Sequence, residues 1–182
     1  HPVIERLPDQ YLLLIGEVVT SWALLETELK KVVYMLLDIG PKQGRTAVRS
    51  PRAKEIAEMI QELVLIEKLS VLSPKFKDFI ALLDELERRR NQLAHNIWLT
   101  GPAGEIIVQN LQGSWPRPSQ DRHPKKRVDP EGIALTPDHL IDLRDAIRSS
   151  IHETRLLNGS IALALPALRE RRSAQAGNKT GK

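Results

Sequence analysis

The residues of this chain with the most chemistry sit close together. Arg90, Asn91 and His95 lie in the run Arg88-Arg89-Arg90-Asn91-Gln92-Leu93-Ala94-His95-Asn96. At helical spacing Phe76, Phe79, Leu83, Leu86 and Ile97 fall within ~40° of one line, and Arg90 lies in the middle of it. An arginine centred in an apolar stripe is expensive to bury unless a partner compensates it. Asn91 and His95 are one helical turn apart, so they share a face and can touch. They lie ~100–140° round from Arg90, which puts His95 at the rim of the stripe, where water or a ligand can reach. A guanidinium holds an anion in a fixed fork, and an imidazole can take or give a proton.

A second anomaly matches the first. On the first predicted helix Glu26 lies within ~40° of Trp22, on the apolar face, whereas Glu28 points away. A carboxylate on one apolar face and a guanidinium on another invite a charge-assisted pair, so Glu26 is expected to orient Arg90. The same residues admit a plainer reading, in which Glu26 and Arg90 form a structural ion pair. His95 is then a histidine favoured by the C-terminal end of the helix dipole.

The elements that must carry these residues are helices. From Pro8 to Leu37, Tyr11, Ile15, Val18, Trp22, Leu25, Leu29, Val33 and Leu36 recur at three- and four-residue spacing, and Gly40-Pro41 stops the pattern. A second helix starts at Ser50-Pro51, with Ile56, Ile60 and Leu63 as its stripe. A third starts at Ser73-Pro74 and runs to about Trp98; a fourth runs from Thr136-Pro137-Asp138 toward Leu165, where Pro166 ends or kinks it. On the fourth, Ser150, Thr154 and Asn158 share the stripe of Ile147 and Ile151, which reads as less dry helix packing. Between the third and fourth, Ile97-Trp98-Leu99 and Ile106-Ile107-Val108 flank Gly101 to Gly104 as a hairpin, and Gly132 to Leu135 adds a third strand. The fold class is therefore all-α: an up-and-down four-helix bundle with a small β-hairpin insertion. The bundle spans 1–165, with residues 96–135 as the insertion and 166–182 as a basic, disordered tail.

Composition narrows the function. The chain has 182 residues, with 27 Lys+Arg against 23 Asp+Glu and a formal net charge of +4. That charge is segregated. One basic segment holds Lys42, Arg45, Arg49, Arg52 and Lys54; a loop holds Arg117, Arg122, Lys125, Lys126 and Arg127; the tail is basic too, and the remainder is acidic. The first two segments are candidate RNA-binding surfaces, and Trp115 is a candidate base-stacking platform. There is no cysteine, which excludes disulfides, thiolate metal sites and a cysteine nucleophile. His123, His139 and His152 show no metal-ligand spacing, so neither metal nor cofactor is expected. Asp138-His139 reads as first-turn capping, and His152-Glu153 as a solvated pair. Apolar runs fall short of a membrane span and His1 to Glu5 lack a signal-peptide pattern, so a cytoplasmic protein is expected.

The Arg90–His95 run resembles the motif of the HEPN superfamily (higher eukaryotes and prokaryotes nucleotide-binding domains). That motif is Arg, then four to six residues, then His, with a polar residue often just after the Arg. Arg90, Asn91 and His95 match it, and the helix around Ser21 to Glu26 resembles the long first helix of bacterial members. The resemblance covers roughly Pro8 to Leu165; the β insertion and tail lie outside the family core. It implies a helical bundle, commonly a homodimer, and for many members a metal-independent endoribonuclease in toxin–antitoxin or phage-defence systems. An antitoxin or other protein partner would then be expected. In that chemistry His95 would act on the ribose 2′-OH and Arg90 on the phosphate, with Asn91 orienting either, to give a 2′,3′-cyclic phosphate. Other members are non-catalytic RNA-, nucleotide- or protein-binding modules.

Overall fold

The computed structural model describes residues 2–48, 52–69, 76–109 and 133–179. Helix α1 (Asp9–Leu37) forms because its apolar positions recur on one face, and that face is buried: Leu14, Val18, Trp22, Leu25, Leu29, Val32, Val33 and Leu36. It ends before Gly40. Asp38 takes the left-handed conformation (φ 54), the Asp38 amide donates to Met35 O, and the Ile39 amide donates to Tyr34 O. These two bonds close the helix by satisfying carbonyls that its end would orphan.

Helix α2 (Pro41–Ala47) occupies part of the basic segment, where no helix was expected. Pro41 suits a first helical position, and the Gln43 side chain accepts from the Gly40 amide at 2.9 Å. Gly44 is required there, because a Cβ would fall within 2.6 Å of the Tyr34 ring. Helix α3 (Ala53–Ile66) buries Ile56, Ala57, Ile60 and Val64, and Glu55 accepts from the Arg52 amide at 2.9 Å. It closes as α1 does, around Lys68 at φ 58. Ser50-Pro51 and Ser73-Pro74, the expected starts of two helices, lie outside the described residues.

Helix α4 (Phe76–His95) stops three residues before the expected end. Ile97 and Trp98 instead enter strand β1 (Ile97–Thr100), so Ile97 does not extend the helical stripe around Arg90. Strand β2 (Ile106–Gln109) pairs antiparallel with β1, setting Trp98 opposite Val108 and Leu99 opposite Ile107. Gly104, at φ 85, makes the turn. The expected third strand, β3 (Ile133–Ala134), completes the order β1-β2-β3. Val3 bridges Leu99 on the other edge of β1.

Helix α5 (Pro137–Lys179) starts where Thr136-Pro137 predicts and by the expected means. The Thr136 hydroxyl accepts from the His139 amide at 3.4 Å, and His139 Nδ1 accepts from the Thr136 amide at 3.2 Å. The helix then runs through Pro166 instead of ending there, which corrects the expected disordered tail up to Lys179. The cause is tertiary. Leu168 is buried, Arg169 pairs with Asp38 at 2.7 Å, and Arg172 donates to Glu67 and to the carbonyl of Leu36 at the end of α1.

The fold is thus all-α in class, a helical bundle with a small antiparallel sheet between α4 and α5; the described residues hold five helices rather than four. The chain forms two compact units. One comprises His1–Val19 and Glu87–Asp145; its core includes Leu14, Leu93, Leu99, Ile107, Val108, Leu140 and Leu143. The other comprises Thr20–Leu86 and Ala146–Lys182; its core includes Leu25, Leu29, Ile56, Ile60, Leu83, Ile147 and Ile161.

Candidate functional site

In the first unit, Arg90 and Asn91 stand in the last turns of α4, both half-buried. Arg90 Nη1 donates to Asn91 Oδ1 at 2.7 Å, a short charge-assisted bond. The carbonyl oxygen of Asn91, expected to orient His95 or a phosphate, steadies the guanidinium. Next to them, Arg89 Nη2 donates to the His139 carbonyl at 3.3 Å, tying the end of α4 to the first turn of α5. His95 is the last residue of α4, and its side chain lies outside the described residues. By helical geometry the His95 backbone stands about 7.5 Å along the axis from Arg90.

Glu26 and Arg90 fall in different units. Glu26 Oε1 accepts from the indole of the buried Trp22 at 2.9 Å. Glu28, expected to point away from the apolar face, is the buried one, at 5% exposure, while Glu26 is half-buried. The reason is the breadth of the buried surface on the second half of α1, where Leu25, Glu28, Leu29, Val32 and Val33 are all covered. The Glu28 carboxylate is compensated by Lys31 at 3.1 Å, Arg155 at 3.5 Å and Asn158 Nδ2 at 3.5 Å. Ser150 and Thr154 are buried, as their stripe implies, and their hydroxyls turn back onto the carbonyls of Ala146 and Ser150 within α5.

Of the expected RNA-binding residues, Arg45 and Arg52 are exposed, in the last turn of α2 and at the cap of α3, both in the second unit. Lys54 pairs with Asp84 at 3.4 Å. Arg49 and the loop carrying Trp115, Arg117, Arg122, Lys125, Lys126 and Arg127 lie outside the described residues. Among the described residues no three His, Asp or Glu side chains converge as a metal site, and no helix is long and apolar enough to cross a membrane.

Sequence reasoning missed one arrangement in the second unit. A cleft of about 380 Å³ is lined by Thr20, Ser21 and Leu24 of α1 and by Arg148, Ile151, His152 and Arg155 of α5. The signal was legible, because positions 148, 152 and 155 share one helix face. His152 reads as a solvated residue when only its neighbour Glu153 is weighed. The chain matches no family model, no curated protein and no solved structure.

Proposed function

We propose that this protein is a metal-independent endoribonuclease of HEPN type, working as a homodimer in a toxin–antitoxin or phage-defence setting. The observation that supports it is the Arg90–Asn91 contact, which holds a guanidinium in one orientation at the end of the helix that carries His95. A held fork is what a phosphodiester requires, since Arg meets two phosphate oxygens at once. In the reaction, His95 takes the proton of a ribose 2′-OH. The 2′ oxygen then attacks the adjacent phosphorus, and Arg90 balances charge on the non-bridging oxygens. The P–O5′ bond breaks, the leaving oxygen takes a proton from an imidazolium, and the products are a 2′,3′-cyclic phosphate and a 5′-OH. Two copies of the chain would supply one imidazole as base and another as acid.

The test is RNA cleavage in EDTA by the wild-type chain against His95→Ala. The expected result is cleavage by the wild type and its loss in the variant; equal cleavage, or none from the wild type, sinks the catalytic assignment. A second reading has its own support: Arg90 is half-buried and already bonded to Asn91, as in a non-catalytic binding module where the guanidinium is structural. It predicts RNA or protein binding without cleavage, and a loss of folding stability on Arg90→Ala.

A further inference from the structure

Helix α5 carries a long uncharged stretch in the second unit. No charged residue falls between Arg155 and Arg169, a span of about 20 Å of helix. One side of that stretch is buried through Ile161 and Leu168. On the opposite side Leu156, Gly159, Ser160, Leu163 and Ala167 form an exposed line. Leu156 is 60% exposed, and Leu163, at 87%, is the most exposed large apolar residue among the described ones. Gly159 stands in mid-helix, where glycine is a poorer helix former than alanine. A Cβ added to it meets nothing of this chain within 4 Å, so no neighbour within the chain accounts for the glycine; a second helix crossing there does. Beside it the Ser160 hydroxyl donates back to the Leu156 carbonyl at 3.0 Å, so the surface is small and keeps no spare donor.

The line is self-complementary about its centre. Counted outward from the midpoint of Gly159 and Ser160, Leu156 answers Leu163. An antiparallel copy of the same helix crossing at that midpoint sets Leu156 of one copy level with Leu163 of the other. Helical phase then sorts the flanking charges by side. His152 and Glu170 of the second copy fall on one side, about 4.5 Å apart along the axis. Glu153 and Arg171 of the second copy fall on the other, about 7.5 Å apart along the axis. All four are exposed, and among the described contacts none of their side chains makes a hydrogen bond or ion pair. A parallel copy would set Glu153, Glu170 and Arg171 each against its own kind, so the charges select the antiparallel arrangement.

We propose that the outward line of α5 is a self-association face, on which a second copy of the chain packs its own α5 antiparallel, crossing at Gly159 and Ser160. The leucines supply the buried apolar contact, the two small residues let the backbones approach, and the flanking charges fix direction and register. A single helix crossing of this length falls short of the ~800 Å² per partner of a standard interface. The association is therefore weak, with a dissociation constant on the order of 100 μM. The contact uses residues of the second unit alone and stands whether or not the ribonuclease assignment does.

The test is thiol cross-linking of the full chain, which has no cysteine of its own, so one introduced thiol is a clean reporter. At a helix separation of ~8–10 Å the two copies of position 160 have Cα atoms about 5–7 Å apart, within disulfide range. The two copies of position 149, on the same exposed face, stand about 30 Å apart. Under mild oxidation Ser160→Cys is expected to give a disulfide dimer on a non-reducing gel, and Ser149→Cys is expected to stay monomeric. Sedimentation of the wild type should show a dimer fraction that rises with concentration. Leu163→Glu should raise the dissociation constant by about tenfold or more. Glu153→Arg should raise it by about fivefold, and adding Arg171→Glu to that variant should restore it. Thermal melts of these exposed-site variants should match the wild type, which separates lost association from lost folding. A wild type that stays monomeric up to ~1 mM overturns the proposal. So does equal cross-linking of Ser149→Cys, and so does a dimer that Leu163→Glu leaves unchanged, since the contact then lies on another face.

Discussion

Arg90 donates to the side chain of the residue that follows it, Asn91, at 2.7 Å. The bond sets the guanidinium before any ligand arrives, so part of the entropy of ordering a long side chain is already spent. On the proposed function, Asn91→Ala should therefore weaken RNA binding by roughly tenfold, the scale of one charge-assisted bond, while leaving the fold intact. Asn91→Asp should recover some of the loss in Arg90 orientation but oppose an anionic ligand. A filter-binding assay at fixed salt, run beside a thermal melt, checks both variants; wild-type affinity for Asn91→Ala would remove Asn91 as a positioning residue.

Glu28 makes a sharper prediction about stability than Glu26. It is 5% exposed and shared among Lys31, Arg155 and Asn158. Glu28→Ala should cost about 1–3 kcal/mol, because it leaves the Asn158 amide buried and short of partners. Glu26→Ala removes one bond to the Trp22 indole and should cost about 1 kcal/mol. Urea denaturation of the two variants gives the comparison, and a larger loss for Glu26→Ala would show that the buried network is not where the structure puts it.

The contrast between these two glutamates shows what a sequence can carry. Helical phase placed Trp22, Leu25, Leu29 and Leu36 on the buried face correctly, since one stripe against one core is what phase describes. It misplaced Glu28 because α1 is covered over a wider arc than a single stripe in its second half, and coverage is a property of the neighbours. Local chemistry was legible where it was self-contained: Thr136-Pro137 with His139 begins α5 by bonds made within four residues. The helical tail was not, because Leu168, Arg169 and Arg172 are ordered by Asp38, Glu67 and Leu36, more than a hundred positions away. The cleft was legible in half: Arg148, His152 and Arg155 share a helix face in the sequence, but only packing brings Thr20 and Ser21 beside them. For the proposed ribonuclease, the sequence offers a resemblance at Arg90, Asn91 and His95, and the side chain of His95 lies outside the described residues.

The basic tail gives a direct check on that long-range ordering. Truncation after Leu165 removes the buried Leu168 and both arginine contacts. Leu168→Ala alone should cost about 2–4 kcal/mol if the site does not collapse, and the truncation at least as much. Chemical denaturation measures both; a truncated chain as stable as the full one would show that the tail packs on nothing.

Asp38 links the tail to pH. The hydrogen bond from Arg169, more than the charge of Arg169 and Arg172, holds its carboxyl below the usual carboxylate range, against a smaller opposing effect of burial. A folded pKa below the unfolded one means that the stabilisation is complete above the unfolded value and is lost as pH falls through the folded one. Asp38→Asn keeps a residue tolerant of the left-handed conformation at φ 54 while removing the charge. The wild type should be the more stable near neutral pH. Its advantage should shrink below the carboxylate range, and the two denaturation midpoints should converge in strong acid. Parallel midpoints across that range would mean that the Asp38–Arg169 contact contributes nothing.

Lys68 closes α3 at φ 58, in a region where a Cβ costs roughly 1–2 kcal/mol. Asp38 does the same for α1, but its carboxylate engages Arg169, which gives that position a second role. Among the described contacts no side-chain bond or ion pair involves Lys68. Lys68→Gly should therefore relieve the backbone at the cost of added freedom in the unfolded chain, for a net gain of up to about 1 kcal/mol. Lys68→Val, branched at Cβ, should lose stability instead. The denaturation midpoints should rank Gly above Lys and Lys above Val, and a loss on Lys68→Gly would mean that the lysine side chain, not the backbone turn, stabilises the end of α3.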